Sequence, residues 1–240
     1  MPRKTKRTKK ITKTKNQTKK LVHQIYGIFD DGIPLKDITV FYENVQLTKQ
    51  FCEKHNYEYQ MWDLKMSIKL IKDHFPQYMS LWNSFPLPIQ RADFIRYCIL
   101  YKYGGIYIDC DIHPLRNFDD LFRMPYFFVT WHDDKNKLPY NAVLGSKKNE
   151  SLFLDIMKHS QESFKERDPK LAKNKIYKTW KGRLVFQTTG HRMLERVLKK
   201  EKINKKKYVL DILRIKKKDG KITSGKNPYF EDSNTSIWFK

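Results

Sequence analysis

The sequence predicts an α/β fold. Apolar and polar residues alternate with period two in several segments, and these are interleaved with segments of helical period over most of the chain. That is the pattern of a sheet flanked by helices. A second observation comes from the run Arg91–Asp111, which changes period halfway. Ala92, Ile95, Ile99 and Tyr103 recur at helical spacing. Gly104-Gly105 then supplies the left-handed stop that a helix C-cap favours. Beyond it Ile106, Ile108 and Cys110 alternate with Tyr107, Asp109 and Asp111. A buried helix thus delivers a short strand that ends in two carboxylates.

The elements follow in order. Met1–Lys20 alternates Lys and Arg with Thr, holds no acid, and reads as a disordered basic arm. Leu21–Phe29 is the first core strand, followed by a turn at Asp30–Pro34 and a second strand at Ile38–Tyr42. Val45–His55 is a helix, Tyr57–Trp62 a strand and Leu64–Asp73 a helix. Phe75–Pro88 carries three prolines and is read as an irregular loop before the helix–glycine–strand run. Ile112–Phe122 is loop and turn, Tyr126–Trp131 a β-run, and Asn141–Ser146 a short buried strand. Ser151–Phe164 is an amphipathic helix, Leu171–Trp180 is ambiguous, and Gln187–Gly190 leads into a helix over His191–Lys199. Asp219-Gly220 marks a hairpin between Tyr208–Ile215 and Lys221–Ser224, and Asn227–Lys240 shows no periodicity.

Composition bounds the function. A chain of 240 residues suits one domain of generous size, or a core with a tail. The 49 Lys and Arg against 26 Asp and Glu leave a formal charge of +23. This predicts affinity for polyanions such as nucleic acid, phosphorylated substrates or an anionic membrane surface, with the basic arm as one contact. Cys52, Cys98 and Cys110 fit no zinc or disulfide pattern and suggest a reducing compartment. No apolar run approaches the ~18 residues that span a bilayer, and no secretory signal precedes the first strand. A cytoplasmic location is the expectation.

Carboxylate oxygens are hard ligands, so Asp109 and Asp111 suit Mn²⁺ or Mg²⁺ with further ligands from a phosphate-bearing substrate. The alternative is a pair of solvated loop acids. Asp93 and Arg96 share a helix face three residues apart. They form either an intrahelical ion pair or a polar edge that meets sugar and phosphate groups beside the acids.

The run RADFIRYCILYKYGGIYIDCD resembles the signature of the glycosyltransferase family with a DXD sugar-binding region. That family includes yeast-type α-1,6-mannosyltransferases, sphingolipid mannosyltransferases and capsular sugar transferases, and is related to the catalytic domain of the large clostridial glucosylating toxins. His23–Tyr26 and Tyr57–Asp63 resemble two upstream strands of the family; Pro114-Leu115, Leu121 and Asn141-Ala142 fit downstream elements. The resemblance implies a GT-A fold, a Rossmann-like nucleotide-binding sheet in a single domain over 21–240, with the basic hairpin and tail from 200 closing the donor site. It implies a retaining, metal-dependent hexosyltransferase using a UDP-glucose or GDP-mannose type donor and a glycan, lipid or protein acceptor. Asp111 then ligates the metal directly and Asp109 holds ribose or the metal's water shell. Asp93 binds sugar hydroxyls and Arg96 sugar or diphosphate. Tyr107 lines the nucleotide site, Tyr26 stacks on the base, Asn141 belongs to the donor site, and Ser236 and Trp238 contact the diphosphate. Where the family has Gly-Pro this chain has Gly190-His191, and His191 is read as a surface residue. The Lys-, Asn- and Ile-rich usage suggests an AT-rich genome, and with no secretory signal a bacterial or virus-encoded enzyme is expected, the latter acting in the host cytoplasm or virion. The rival reading is a basic nucleic-acid-binding or metal-dependent nucleotidyl-transfer protein.

Overall fold

A computed structural model describes residues 20–29, 32–130, 138–166, 180–216, 222–224 and 227–233. Almost all of the expected basic arm, the Asp219-Gly220 turn, Ser236 and Trp238 lie outside the described residues. In chain order the elements are β1 (Leu21–Ile25), α1 (Thr39–Lys54), β2 (Glu58–Trp62), α2 (Leu64–His74), α3 (Met79–Ser84), α4 (Pro88–Tyr103), β3 (Gly105–Ile108) and β4 (Ile112–Pro114). There follow β5 (Tyr126–Thr130), β6 (Pro139–Ser146), α5 (Ser151–Lys165), α6 (Trp180–Thr188), α7 (His191–Lys200), α8 (Lys205–Tyr208), β7 (Val209–Leu210), β8 (Leu213–Lys216), β9 (Ile222–Ser224) and β10 (Phe230–Asp232).

The expected α/β architecture is present. The larger sheet has the order β2-β1-β3-β6-β5-β7, with β2, β1 and β3 parallel and β6 antiparallel to both β3 and β5. A smaller sheet, β4-β10-β8-β9, sits beside it. One apolar cluster packs α2, α3, α4, α5 and α7 on one face of the larger sheet, through Trp82, Phe94, Ile99, Phe153 and Leu194. The other face joins Val22, Ile106 and Ile108 to Cys52 of α1 and to Leu213 and Phe230 of the smaller sheet. All three cysteines are buried and free.

Four expectations are corrected. Ile38–Tyr42 is not a strand, because α1 already starts at Thr39. Its β-branched and aromatic residues lose to the amphipathic face on which Asn44, Val45, Thr48 and Cys52 are buried. Phe75–Pro88 is not loop throughout: Pro76 opens a 3-10 turn and Pro88 opens α4, the position where a missing N–H costs nothing. Between them α3 buries Leu81 and Trp82. The strand after the double glycine ends at Ile108 rather than Asp111. The chain turns at Cys110-Asp111 and enters the other sheet as β4. The tail contains β10, paired antiparallel to β4 and parallel to β8. The expected hairpin is present in the antiparallel pairing of β8 and β9.

Two buried features lock β3 in place. Gly104 and Gly105 have φ of +69° and +97°. A Cβ on Gly105 would lie 2.5 Å from the Leu21 carbonyl oxygen, so both the backbone conformation and the close approach of β1 exclude a side chain. His23 is buried on β1, where its Nε2 donates to the Gly104 carbonyl at 2.9 Å and its Nδ1 accepts from the Trp62 indole at 3.3 Å. The neutral ring satisfies both bonds. Burial pushes its pKa down to about 4, against a smaller upward pull from the Gly104 carbonyl.

Two predictions follow from this lock. Gly105→Ala is expected to cost about 3 kcal/mol, read as a fall in Tm of roughly 6 to 12 °C. For His23, the folded pKa lies below the unfolded value of about 6.5. Its contribution is therefore whole above that value and is lost as pH falls from about 6.5 to about 4. The loss amounts to about 3 kcal/mol. Urea titrations at several pH values should show a shallower acid decline for His23→Gln than for the wild type.

Candidate functional site

Two periodicities bring the site together. On β3, Ile106 and Ile108 face one cluster and Tyr107 faces the other, where α4 lies. Asp109, two residues on, stays on the α4 side: the Tyr107 hydroxyl donates to its Oδ1 at 2.5 Å. On α4, Asp93 and Arg96 are one turn apart, and the helix is buried nearly all round from Ala92 to Leu100. A charged pair on such a helix must find partners within the protein.

Arg96 finds them. Its guanidinium lies over the Tyr107 ring, 4.5 Å from the centroid. Nη1 reaches Asp109 Oδ1 at 3.0 Å and donates to the Asn141 carbonyl at 2.6 Å. Nη2 lies 3.1 Å from Asp93 Oδ1, and Nε donates to the Ala92 carbonyl at 3.1 Å. Asp93 is completed by the Asn141 side chain, which donates to Oδ1 at 2.8 Å, and by the Thr189 hydroxyl, which donates to Oδ2 at 2.9 Å. The side chains of Asp93 and Arg96 are 5% and 3% accessible, whereas that of Asp109 is 27% accessible. Among the described residues, Asp109 Oδ1 takes both bonds and Oδ2 takes none.

The charges respond accordingly. Burial pushes the Asp109 carboxyl up to about 7; Arg96 opposes this and the Asp111 charge adds to it. Burial also raises Asp93, against Arg96 and its two hydrogen-bond donors. Burial alone would lower Arg96, but Asp109, Tyr107 and Asp93 outweigh it and hold the guanidinium charged.

Asp111 is mounted differently. It sits in the turn between the two sheets, and its carbonyl accepts from the Ser233 backbone at 3.0 Å. Asn44 of α1 donates to Ser233 Oγ at 3.2 Å and pairs through Oδ1 with His113 of β4 at 2.5 Å. Asp232, 1% exposed on β10, adds a further carboxylate here. Burial and then the charges of Asp232, Asp111 and Asp109 raise the Tyr140 hydroxyl well above its ordinary range.

Of the sequence-derived site residues, Asp93, Arg96, Tyr107, Asp109 and Asn141 meet in one network, with Asp111 two residues along. Tyr107 is 2% exposed beneath Arg96. Tyr26 follows β1 at the same sheet end, its hydroxyl donating to the Ile33 carbonyl at 2.7 Å and its ring edge-on to Phe41. His191 opens α7 against the Phe186 ring. The sequence did not single out Gln24, Thr189 or Ser233. Gln24 donates to the Asp109 carbonyl at 3.2 Å and accepts from the Tyr59 hydroxyl at 2.8 Å. The Gln24 signal lay in the His23–Tyr26 run and that of Thr189 in its place before Gly190.

Residues 42–128 match the family described as the glycosyltransferase sugar-binding region containing a DXD motif, which spans α1 through most of β5. This stretch of the chain is thus similar to a glycosyltransferase sugar-binding region. An uncharacterized glycosyltransferase of Acanthamoeba polyphaga mimivirus is 32% identical over 58% of this chain and 54% of its own length. A mannosyl phosphorylinositol ceramide synthase of Saccharomyces cerevisiae is 36% identical over 58% of this chain and 34% of its own. An inositol phosphoceramide mannosyltransferase of Schizosaccharomyces pombe is 41% identical over 29% of this chain and 20% of its own. The chain thus spans about half the length, or less, of these curated relatives. Among solved structures the PaToxG glycosyltransferase superposes with a TM-score of 0.48 at 15% identity, over 77% of this chain and 70% of that one. Within the matched residues Asp109-Cys110-Asp111 is a D-x-D sequence. No helix among the described residues is long and apolar enough to cross a membrane.

Removal of Arg96 tests the network. Arg96→Ala leaves two carboxylates facing each other in the core and is expected to cost about 3 to 5 kcal/mol in urea denaturation. Arg96→Lys, a point charge without the planar fork, should recover only part of that.

Proposed function

We propose that this chain is a metal-dependent, retaining glycosyltransferase that moves a hexose from a nucleotide-sugar donor to an acceptor hydroxyl. The observation that carries this is the division of Asp109. Its Oδ1 is bound by Arg96 and Tyr107, its Oδ2 takes no bond among the described residues, and the side chain is 27% accessible and feels the charge of Asp111, at the carboxyl end of a parallel strand within the matched region. The donor set fits Mn²⁺ or Mg²⁺. Both acids offer hard oxygens, and among the described residues no three His, Cys, Asp or Glu side chains form a ready-made cage. Such ions take one or two protein carboxylates and fill the remaining positions with water and substrate phosphate. When bound, the ion supplies Lewis-acid stabilisation of the departing diphosphate.

The chain's own residues do the rest. Arg96 and Tyr107 hold Asp109 in one orientation, and Ser233 and Asn44 hold the turn that carries Asp111. Tyr26, at the same sheet end, presents an aromatic face suited to a base. Asp93, Asn141 and Arg96 define the inner wall at the sugar end of the donor. In the transfer, the bond from the anomeric carbon to the diphosphate oxygen breaks and a bond to the acceptor oxygen forms. The acceptor's proton passes to the diphosphate. Ser236 and Trp238 are assigned to the diphosphate on the family resemblance alone. The names of the fungal relatives make mannose the first sugar to test and a phosphoinositol-bearing lipid the first acceptor. The viral relative favours a virus-encoded enzyme acting in a host cytoplasm.

The test is a screen of UDP- and GDP-sugars with Mn²⁺, reading released nucleotide. Turnover is expected with at least one sugar, abolished by chelator and lowered at least about a hundredfold by Asp111→Ala, with an unchanged Tm. Turnover insensitive to chelator, or a fully active Asp111→Ala, overturns the assignment.

A further inference from the structure

The junction of α6 and α7 is tied to α4 by a polar seam. Gln90 Nε2 donates to the Thr188 hydroxyl at 2.8 Å. The Tyr97 hydroxyl donates to the Thr189 carbonyl at 2.6 Å, and the Thr189 hydroxyl donates to Asp93 Oδ2 at 2.9 Å. Gln90, Tyr97, Thr188 and Thr189 are each no more than 2% exposed. Apolar side chains would pack these helices together without the desolvation that such groups incur. The seam's distinctive effect is directional, and its target is Asp93.

Asp93 Oδ1 is held by Arg96 and Asn141, whereas Oδ2 has Thr189 as its donor among the described residues. The Thr189 hydroxyl has one proton and two acceptors within reach, Asp93 Oδ2 at 2.9 Å and the Val185 carbonyl at 3.3 Å; the carboxylate is nearer and charged. The mount itself is rigid. The backbone N–H groups of Thr189 and Gly190 both donate to the Val185 carbonyl at 2.9 Å. A Cβ on Gly190 would lie 3.2 Å from Phe186 Cα and 3.6 Å from Asp93 Oδ2, so the junction rests directly on the carboxylate.

We propose that Thr189 is a positioning residue for the donor site: its hydroxyl fixes the Asp93 carboxylate and, through Arg96, the orientation of Asp109. Its consequence for turnover rests on the donor-site reading of Asp109; its consequence for Arg96 does not. Without the hydroxyl, Oδ2 loses its donor, and the carboxylate is held on one oxygen alone, by Arg96 and Asn141. Arg96 then balances Asp109 against a less firmly held partner across the guanidinium.

The test compares Thr189→Val, which keeps the shape and removes the donor, with Thr189→Ser, which keeps the donor. Thr189→Ala is a second donorless variant on which the same readings are made if the valine does not fold. In NMR spectra the Arg96 guanidinium protons, identified by their disappearance in Arg96→Lys, should exchange slowly in the wild type and in Thr189→Ser. In the donorless variants they should shift and exchange at least about tenfold faster, with Tm held within a few degrees. With a nucleotide sugar that the wild type turns over, kcat should fall about tenfold while donor KM stays within about twofold, and serine should restore kcat. Arg96 signals unchanged in both donorless variants, or altered as much by serine, overturn the proposal. If the wild type turns over no nucleotide sugar, the glycosyltransferase reading fails, and the Arg96 signals still decide the role of Thr189.

Discussion

The guanidinium of Arg96, held between Asp93 and Asp109, is the interaction on which the rest of the site depends. It lies in the core, where an unpaired charge costs several kcal/mol and a well-bonded pair roughly breaks even. Its geometry comes from two elementary repeats. The helical turn places Asp93 beside Arg96, and the alternation of β3 places Asp109 on the side of Tyr107, facing the same helix. Gly104 and Gly105 join the repeats at close quarters, because any side chain there would push β3 away from β1 and from the segment after β6. Removal of a methyl-sized clash is therefore what allows a charged contact further along the same strand.

The two acids of the motif have separate mounts, which suits them to different tasks. Asp109 is fixed through its side chain from the helix face; Asp111 is fixed through its backbone by β10 and α1. Asp109 thus belongs to the first sheet and α4, and Asp111 to the seam between the sheets. β10 brings Asp232 and Ser233 to that seam, which makes the C-terminal strand part of the site's frame.

What could be read from the sequence was local. The helix, its glycine stop, the strand and the two acids are consecutive, and their periods survive folding unchanged. The start of α1 was misread because Ile38–Tyr42 has strand-like residues, and only packing of the whole helix decides against them. The expected strand is three residues too long because alternation in sequence does not show where pairing stops; Asp109 bonds back to Ala142, and Cys110 already belongs to the turn. Thr189 and Ser233 were missed for a different reason. Thr189 is separated from Asp93 by 96 residues, and Ser233 from Asn44 by 189. No periodicity encodes such contacts. The pairing of Asp93 with Arg96 was legible as an ion pair, but its burial was not, and burial is what turns a weak surface contact into a structural requirement.

Charge supplies the last step. Asp93, Asp109, Asp111 and Asp232 gather four carboxyl groups around the single guanidinium of Arg96, in a protein of net charge +23. The excess of Lys and Arg draws anionic partners toward the molecule over distances of a Debye length, about 8 to 10 Å in ordinary salt. At contact the sign reverses. A diphosphate brought to Asp109 and Asp111 would meet like charge in a partly desolvated setting, where repulsion exceeds its value in water. Arg96 offers little relief, because four of its five N–H donors are engaged by Asp93, Asp109, Asn141 and Ala92. A divalent cation held by Asp109 and Asp111 would relieve this repulsion. The charge of the site thus supports the metal dependence in the proposed function independently of the motif.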